Sequence, residues 1–177
     1  MSFHAAAFIA TSLDGYIARP DGSIDWLTTR AEHAGETGYD EFMSSIDTVV
    51  LGRNTYELAL TYDLWPYEGK QVEVLSSTLD PNTDDRILVH RTLDALVETL
   101  TDRGAQRIYT DGARTIQTFL TAGLLNELTI TTAPVLLGTG IPLFGPLTSD
   151  IPLTHNATRT LNAGFTQSDY TIQHVGA

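Results

Sequence analysis

The feature that most constrains this chain is a strand–glycine–helix pattern that occurs twice. Residues 108–120, Ile-Tyr-Thr-Asp-Gly-Ala-Arg-Thr-Ile-Gln-Thr-Phe-Leu, pass from an apolar run through Asp111-Gly112 directly into helical spacing. Residues 48–57, Thr-Val-Val-Leu-Gly-Arg-Asn-Thr-Tyr-Glu, do the same through Gly52. Gly112 can take backbone angles closed to other residues, and the first N–H groups of the helix after it face whatever sits above the turn from a positive dipole end. An anion belongs there. Either turn alone reads equally well as an ordinary tight connection, but two in one short chain point to one extended, multiply charged ligand.

The rest of the chain supplies a sheet for these turns. Residues 3–11 read as a buried strand and 12–23 as a loop with two Asp-Gly turn signals. Helical spacing over 39–46 leads into a strand at 48–51 and a helix at 54–60, followed by an irregular, aromatic segment at 62–69. A strand at 71–75 stops at Ser76-Ser77-Thr78, and another at 86–90 precedes a helix over 93–103 with Thr92 as cap and Gly104 as stop. A strand at 107–110 and a helix at 113–122, closed by Gly123, complete the alternation. Beyond them lie a long strand at 127–137, a Gly/Pro loop at 138–146, and a hairpin of 153–161 with 165–174 across Asn162-Ala-Gly164. Strand–helix alternation predicts an α/β fold with a mostly parallel central sheet flanked by helices, and the final strands predict an antiparallel hairpin added at the C-terminus. No linker or shift of composition interrupts residues 1–177, so one domain is expected.

Composition narrows the chemistry. Without cysteine, there are no disulfides, thiolate metal sites or cysteine nucleophiles, and a reducing compartment is expected. A net charge of −12, from 22 acidic and 10 basic residues, opposes binding of a nucleic-acid backbone. No apolar run approaches the ~20 residues that span a bilayer, so a cytoplasmic protein is expected. The histidines at positions 4, 33, 90, 155 and 174 show no ligand spacing, and no metal site is expected. The G-x-G-x-x-G, G-x-x-x-x-G-K-[ST] and G-x-S-x-G patterns are all missing. With cations so scarce, Arg53 and Arg114 beside the glycine turns stand out. Arg53 and Thr55 suit a phosphate at a helix start, and Ser76 with Ser77 offer hydroxyls at a strand exit. Trp26, just after the Asp-Gly loop, is a further ligand candidate.

These landmarks together resemble the dihydrofolate reductase-like superfamily, most closely its branch related to the reductase domain of the bacterial riboflavin-biosynthesis deaminase-reductase. The resemblance rests on Ser12-Leu-Asp-Gly-Tyr-Ile-Ala18, Val50-Leu-Gly-Arg-Asn-Thr-Tyr56, Val74-Leu-Ser-Ser77, Asp111-Gly-Ala-Arg114 and the run from Gly123 to Phe144, in the family's order. It implies a twisted sheet of about eight strands and NADPH lying across the C-terminal strand ends. It places Gly52, Arg53, Asn54 and Thr55 at the adenosine phosphates, and Ser76 and Ser77 at the 2′-phosphate. Asp111, Gly112, Ala113, Arg114 and Thr115 form the pyrophosphate turn. Ala10, Ile17 and Ala18 line the nicotinamide, and residues 12–26 act as its lid. It also implies a homodimer and a small-molecule substrate held among Asp14, Trp26, Glu32 and Tyr39. Two departures stand out. Ala31 occupies the position where dihydrofolate reductases carry a carboxylate, and Asp111 replaces the first glycine of a double-glycine turn. The resemblance implies an NADPH-dependent reductase passing hydride to a small C=N or C=O substrate. A nucleotide-binding module without turnover is the alternative.

Overall fold

The computed structural model describes residues 3–173. The expected architecture is present: an eight-stranded sheet, six neighbouring strands of it parallel, with helices on both faces and an antiparallel pair at the C-terminal end. The elements are β1 (His4–Ser12), β2 (Tyr16–Ala18), α1 (Asp25–Ala31), α2 (Tyr39–Ser44), β3 (Thr48–Gly52), α3 (Arg53–Ala59), β4 (Gln71–Leu75) and β5 (Leu88–His90). They continue as α4 (Leu93–Asp102), β6 (Arg107–Asp111), α5 (Ala113–Thr121), β7 (Leu125–Ala133), β8 (Ile141–Pro142), β9 (Leu153–Thr160) and β10 (Thr166–Ile172). Across the sheet the order is β5-β4-β3-β6-β1-β7-β10-β9, while β2 and β8 form a separate two-stranded ribbon.

Side chains alternate across the central strands and so fill two cores. Ala5 and Ala7 of β1, Val50 of β3 and Ile108 of β6 pack with Leu96 and Leu100 of α4 and Ile116 and Phe119 of α5. Val49 and Leu51 of β3, Val72 and Val74 of β4 and Tyr109 of β6 face the other way, toward Tyr56 and Ala59 of α3, with Phe42 and Met43 of α2 packed alongside. A third cluster buries Trp26, Ala34, Ala133 and Phe165 where α1 meets the ends of β7 and β10.

Several boundaries shift for local reasons. The strand expected to reach residue 137 stops at Ala133, because Pro134 has no N–H to give the ladder. The strand expected from residue 86 begins at Leu88, since Asp84 folds the chain by accepting from the Arg86 N–H at 2.9 Å. Thr92 does cap α4, its hydroxyl accepting from the Ala95 N–H at 3.3 Å. The expected 12–23 and 138–146 loops contain β2 and β8, which pair antiparallel with each other. His174, expected at the end of the hairpin, lies outside the described residues.

Between β4 and α4 sits a buried carboxylate that sequence patterning does not reveal. Glu73 is 1 % exposed; one oxygen lies 2.6 Å from His90 Nε2 and the other accepts from Arg103 at 2.8 Å. The pairing joins β4, β5 and the end of α4. Removing Glu73 leaves His90 buried without this partner while the half-exposed Arg103 regains solvent. Glu73→Ala is therefore expected to lower unfolding stability by about 1–3 kcal/mol, the cost of a buried polar group left unpaired. Urea titration checks it, and an unchanged midpoint would show that these groups are solvated.

Candidate cofactor cleft

The strand order creates a cleft at one place. From β3 the chain crosses through α3 to β4 on one side, while from β6 it crosses through α5 toward β7 on the other. Neighbouring parallel strands whose connections run in opposite directions leave a crevice outside their carboxyl ends. Both glycine turns open into it, one at the end of β3 and one at the end of β6.

The turns are seated in each other. A Cβ on Gly112, whose φ is +91°, would collide with the Thr55 hydroxyl, and a Cβ on Gly52 would lie 3.2 Å from the Thr115 hydroxyl. Each glycine thus accommodates a threonine from the helix that follows the other. Thr115 is buried, 2 % exposed, and Ala113 is buried beside it. Neither α3 nor α5 has a side-chain cap at its N-terminus, in contrast to α4. Their first-turn N–H groups remain available to an anion, and the small residues leave its backbone approach clear. The arrangement fits a dinucleotide diphosphate.

Arg53 donates to the Thr78 hydroxyl at 3.1 Å and lies 3.4 Å from Glu57. This brings the α3 start against the 76–78 turn. Ser76 is buried, and its hydroxyl accepts from Thr78 N at 3.3 Å and Leu79 N at 3.1 Å. Ser77, Asn54 and Arg114 are exposed. Sequence patterning does not single out Thr78 or Arg91; Arg91 fixes this turn by donating to the Ser76 carbonyl at 3.0 Å. A lone arginine after a strand gives little sequence signal.

The substrate-side candidates separate. Asp14 serves the fold, since its carboxylate accepts from the Ser12 hydroxyl at 2.6 Å, Leu137 N at 3.1 Å and Gly138 N at 2.7 Å. It thereby ties the 12–26 segment to the loop after β7, while Leu143 N donates to the Gly15 carbonyl at 2.9 Å. Ile17 and Ala18 lie in β2, the ribbon strand of the same assembly, and Ala10 lies on β1. Trp26 is 2 % exposed, with its indole N–H buried and without a hydrogen-bond partner. Glu32 is exposed just beyond the end of α1, and Ala31, the last residue of that helix, is exposed as well. Arg19 is paired with Asp25 at 2.6 Å, and Arg30 donates to the Trp26 carbonyl at 2.7 Å.

Tyr39 joins an aromatic group that sequence inspection does not assemble. Its ring centroid lies 5.5 Å from Phe8 and 6.2 Å from Tyr109. Phe42 packs edge-on to Tyr109 at 5.2 Å, and the Tyr109 hydroxyl donates to the Phe8 carbonyl at 3.1 Å. Two residues beyond Tyr109, and so on the same face of β6, stands Asp111. Its carboxylate caps the following Gly112 N–H at 2.8 Å and accepts from the Tyr67 hydroxyl at 3.3 Å. The side chain turns inward, away from the mouth of the turn. Burial pushes its pKa above the ordinary 3.8, outweighing the Gly112, Tyr109 and Tyr67 hydrogen bonds that favour the ionised form. Burial likewise raises the Tyr39 and Tyr67 hydroxyls well above 10.0, helped by the Asp111 charge. Period-two spacing links Tyr109 to Asp111, but nothing in the sequence brings Tyr67 to them.

Asp14 gives the cleft a pH dependence. The Ser12 hydroxyl, with smaller help from the Gly138 and Leu137 N–H groups, lowers its pKa from 3.8 to about 2. A depressed carboxyl stabilises the fold above its unfolded value, and the contribution is lost as pH falls through the folded one. Amide exchange at Leu137 and Gly138 is expected to lose protection as pH drops from 3.8 toward about 2. Asp14→Asn should produce that loss at neutral pH; undiminished protection would show the contact to be incidental.

The sequence profile of the RibD C-terminal domain family matches residues 4–166. The uncharacterized protein YwjB of Bacillus subtilis (strain 168) is 37% identical over 155 residues, covering 86% of this chain and 88% of its own. Among solved structures, a Shewanella sp. PV-4 protein with a provisional riboflavin-biosynthesis name superposes with a TM-score of 0.87. It is 36% identical, and the match covers 97% of this chain and 100% of that one. RibD of Acinetobacter baumannii shares the fold at a TM-score of 0.72 and 16% identity, matching 97% of this chain and 58% of its own. With the fold, the order of its turns and the profile in agreement, the chain belongs to the RibD C-terminal domain family.

Proposed function

We propose that this protein is an NADPH-dependent reductase that passes hydride to a small C=N or C=O substrate. The observation that carries the reading is the reciprocal seating of Gly52 against Thr115 and Gly112 against Thr55 at the strand crevice. That cradle has the small residues, open N–H groups and hydroxyls that a diphosphate needs. The bound nicotinamide would supply the hydride. The chain's own contribution is to hold it: Gly52 to Thr55 and Gly112 to Thr115 at the phosphates, Arg53, Ser76 and Ser77 at the 2′-phosphate. Ala10, Ile17 and Ala18 face the ring, and the β2–β8 ribbon shields it from water. The aromatic wall of Phe8, Tyr39, Phe42 and Tyr109 suits a flat substrate. Arg19 and Arg30, already paired, leave little for a phosphorylated one.

A cofactor-binding module without turnover is the second reading. It is favoured by Ala31 at the carboxylate position, by the exposure of Glu32 and by the pairing of Asp25, the acid within α1, with Arg19. Steady oxidation of NADPH with a panel of small carbonyls, imines and flavins decides between the two.

NADPH is expected to bind more tightly than NADH by tenfold or more, since a charge-assisted hydrogen bond contributes roughly 1.5–3 kcal/mol. Arg53→Ala should erase most of that difference while changing stability by only about 0.5 kcal/mol, as exposed positions do. Calorimetric titration of both cofactors measures it, and equal affinities in the native protein would remove the 2′-phosphate assignment.

We further propose a homodimer formed across β9. All eight residues of this strand are exposed, and among the described residues it pairs only with β10, leaving its other edge open there. Unprotected edges of this kind invite a second strand. Light scattering is expected to give twice the 19.3 kDa chain mass. A monomer that stays monomeric at high concentration would overturn the proposal.

A further inference from the structure

The cradle has an electrostatic peculiarity. The turn proposed to receive the diphosphate carries a carboxylate, and no cation faces it among the described residues. Tyr39 reaches toward Asp111 from α2, Tyr62 and Tyr67 from the segment after α3, and Tyr109 from β6 itself. These are all neutral hydroxyls. Its direct partners are the Gly112 N–H and the Tyr67 hydroxyl, with the Tyr109 hydroxyl also close. Arg53 is engaged with Thr78 and Glu57, and Arg114 is exposed on α5.

Placing a diphosphate at Gly112 adds negative charge beside a partly buried carboxylate. Like charges in a poorly solvated site are relieved most readily when one of them takes a proton. The neutral form also suits the place: a protonated Asp111 can accept from Gly112 N–H with one oxygen and use the other for an O–H bond to a tyrosine oxygen.

We infer that the dinucleotide and a proton bind this protein together, the proton residing on Asp111. The inference rests on the cofactor reading above. Reduction of a C=N or C=O bond consumes one proton for each hydride, so one binding step would bring both into the cleft. The Tyr67 hydroxyl, which stabilises the ionised carboxylate through its 3.3 Å bond, helps to set the pH range of the uptake.

The test is calorimetric titration of the intact protein with NADPH at constant pH in buffers of different ionisation enthalpy, repeated from about pH 5 to pH 8. The slope of heat against buffer enthalpy counts protons taken up. The 2′-phosphate itself titrates near pH ~6, so the same series is run on Asp111→Asn, in which only that contribution remains. The native protein is expected to take up more protons than the variant. Its affinity should fall with rising pH by a further factor approaching about tenfold per unit in the affected range. Asp111→Asn should bind NADPH at least as tightly as the native protein at high pH. Tyr67→Phe, which leaves Asp111 in place, should move the uptake to higher pH, because the carboxylate loses a hydrogen bond that favours its ionised form.

Identical proton counts in native protein and Asp111→Asn would overturn the inference while leaving the cofactor reading intact. If Asp111→Asn fails to fold, an unchanged pH profile of uptake in Tyr67→Phe would overturn it. Absence of any NADPH binding would overturn the cofactor reading itself, and this inference with it.

Discussion

The site depends on two threonines standing where two side chains cannot be. Gly52 and Gly112 lie on neighbouring parallel strands, and each makes room for a hydroxyl-bearing residue of the opposite helix. The contact is possible only because β3 and β6 are adjacent and their helices leave toward opposite faces of the sheet. A substitution that adds a Cβ at Gly112 meets both a positive φ and an occupied space, so backbone conformation and packing exclude it together. The close approach of the turns concentrates the uncapped N–H groups of both helices over one short stretch. Neither turn alone would offer as much to an extended anion.

Much of this is legible in the sequence, because glycine at a strand–helix junction states a backbone requirement that few folds share. The strand order is not. Nothing in residues 48–57 or 108–120 says that the two turns are neighbours, since that follows from where β1 and β4 insert. Patterning overruns the strand ends where proline or an Asp-centred turn cuts the ladder, as at Pro134 and Asp84. Polar groups are the least legible. Asp14 resembles a ligand residue because it sits in the lid loop, yet its oxygens hold backbone N–H groups more than a hundred positions away. Glu73 lies in a strand that otherwise alternates normally, and only the arrival of His90 and Arg103 explains it. Long-range partners of this sort leave no local pattern.

Asp111 shows how a departure from a glycine turn can be accommodated. Its inward rotamer satisfies Gly112, the residue whose geometry the turn cannot surrender, and places the partly buried acid among tyrosines. The same aromatic group covers the sheet face beside Phe8, where the Tyr109 hydroxyl is satisfied by the Phe8 carbonyl.

The β2–β8 ribbon ties together two stretches that are remote in the chain. Through the pairing of Tyr16 with Pro142 and of Ala18 with Ile141, and through the bonds of Asp14 to Leu137 and Gly138, the loop after β1 and the loop after β7 have a common register. Neither can be lengthened, shortened or exchanged with a relative's loop unless the other changes to match. For protein engineering, the smallest transplantable piece of this cleft is therefore a pair of segments, and diversity introduced into one loop at a time will mostly sample broken closures instead of new substrates.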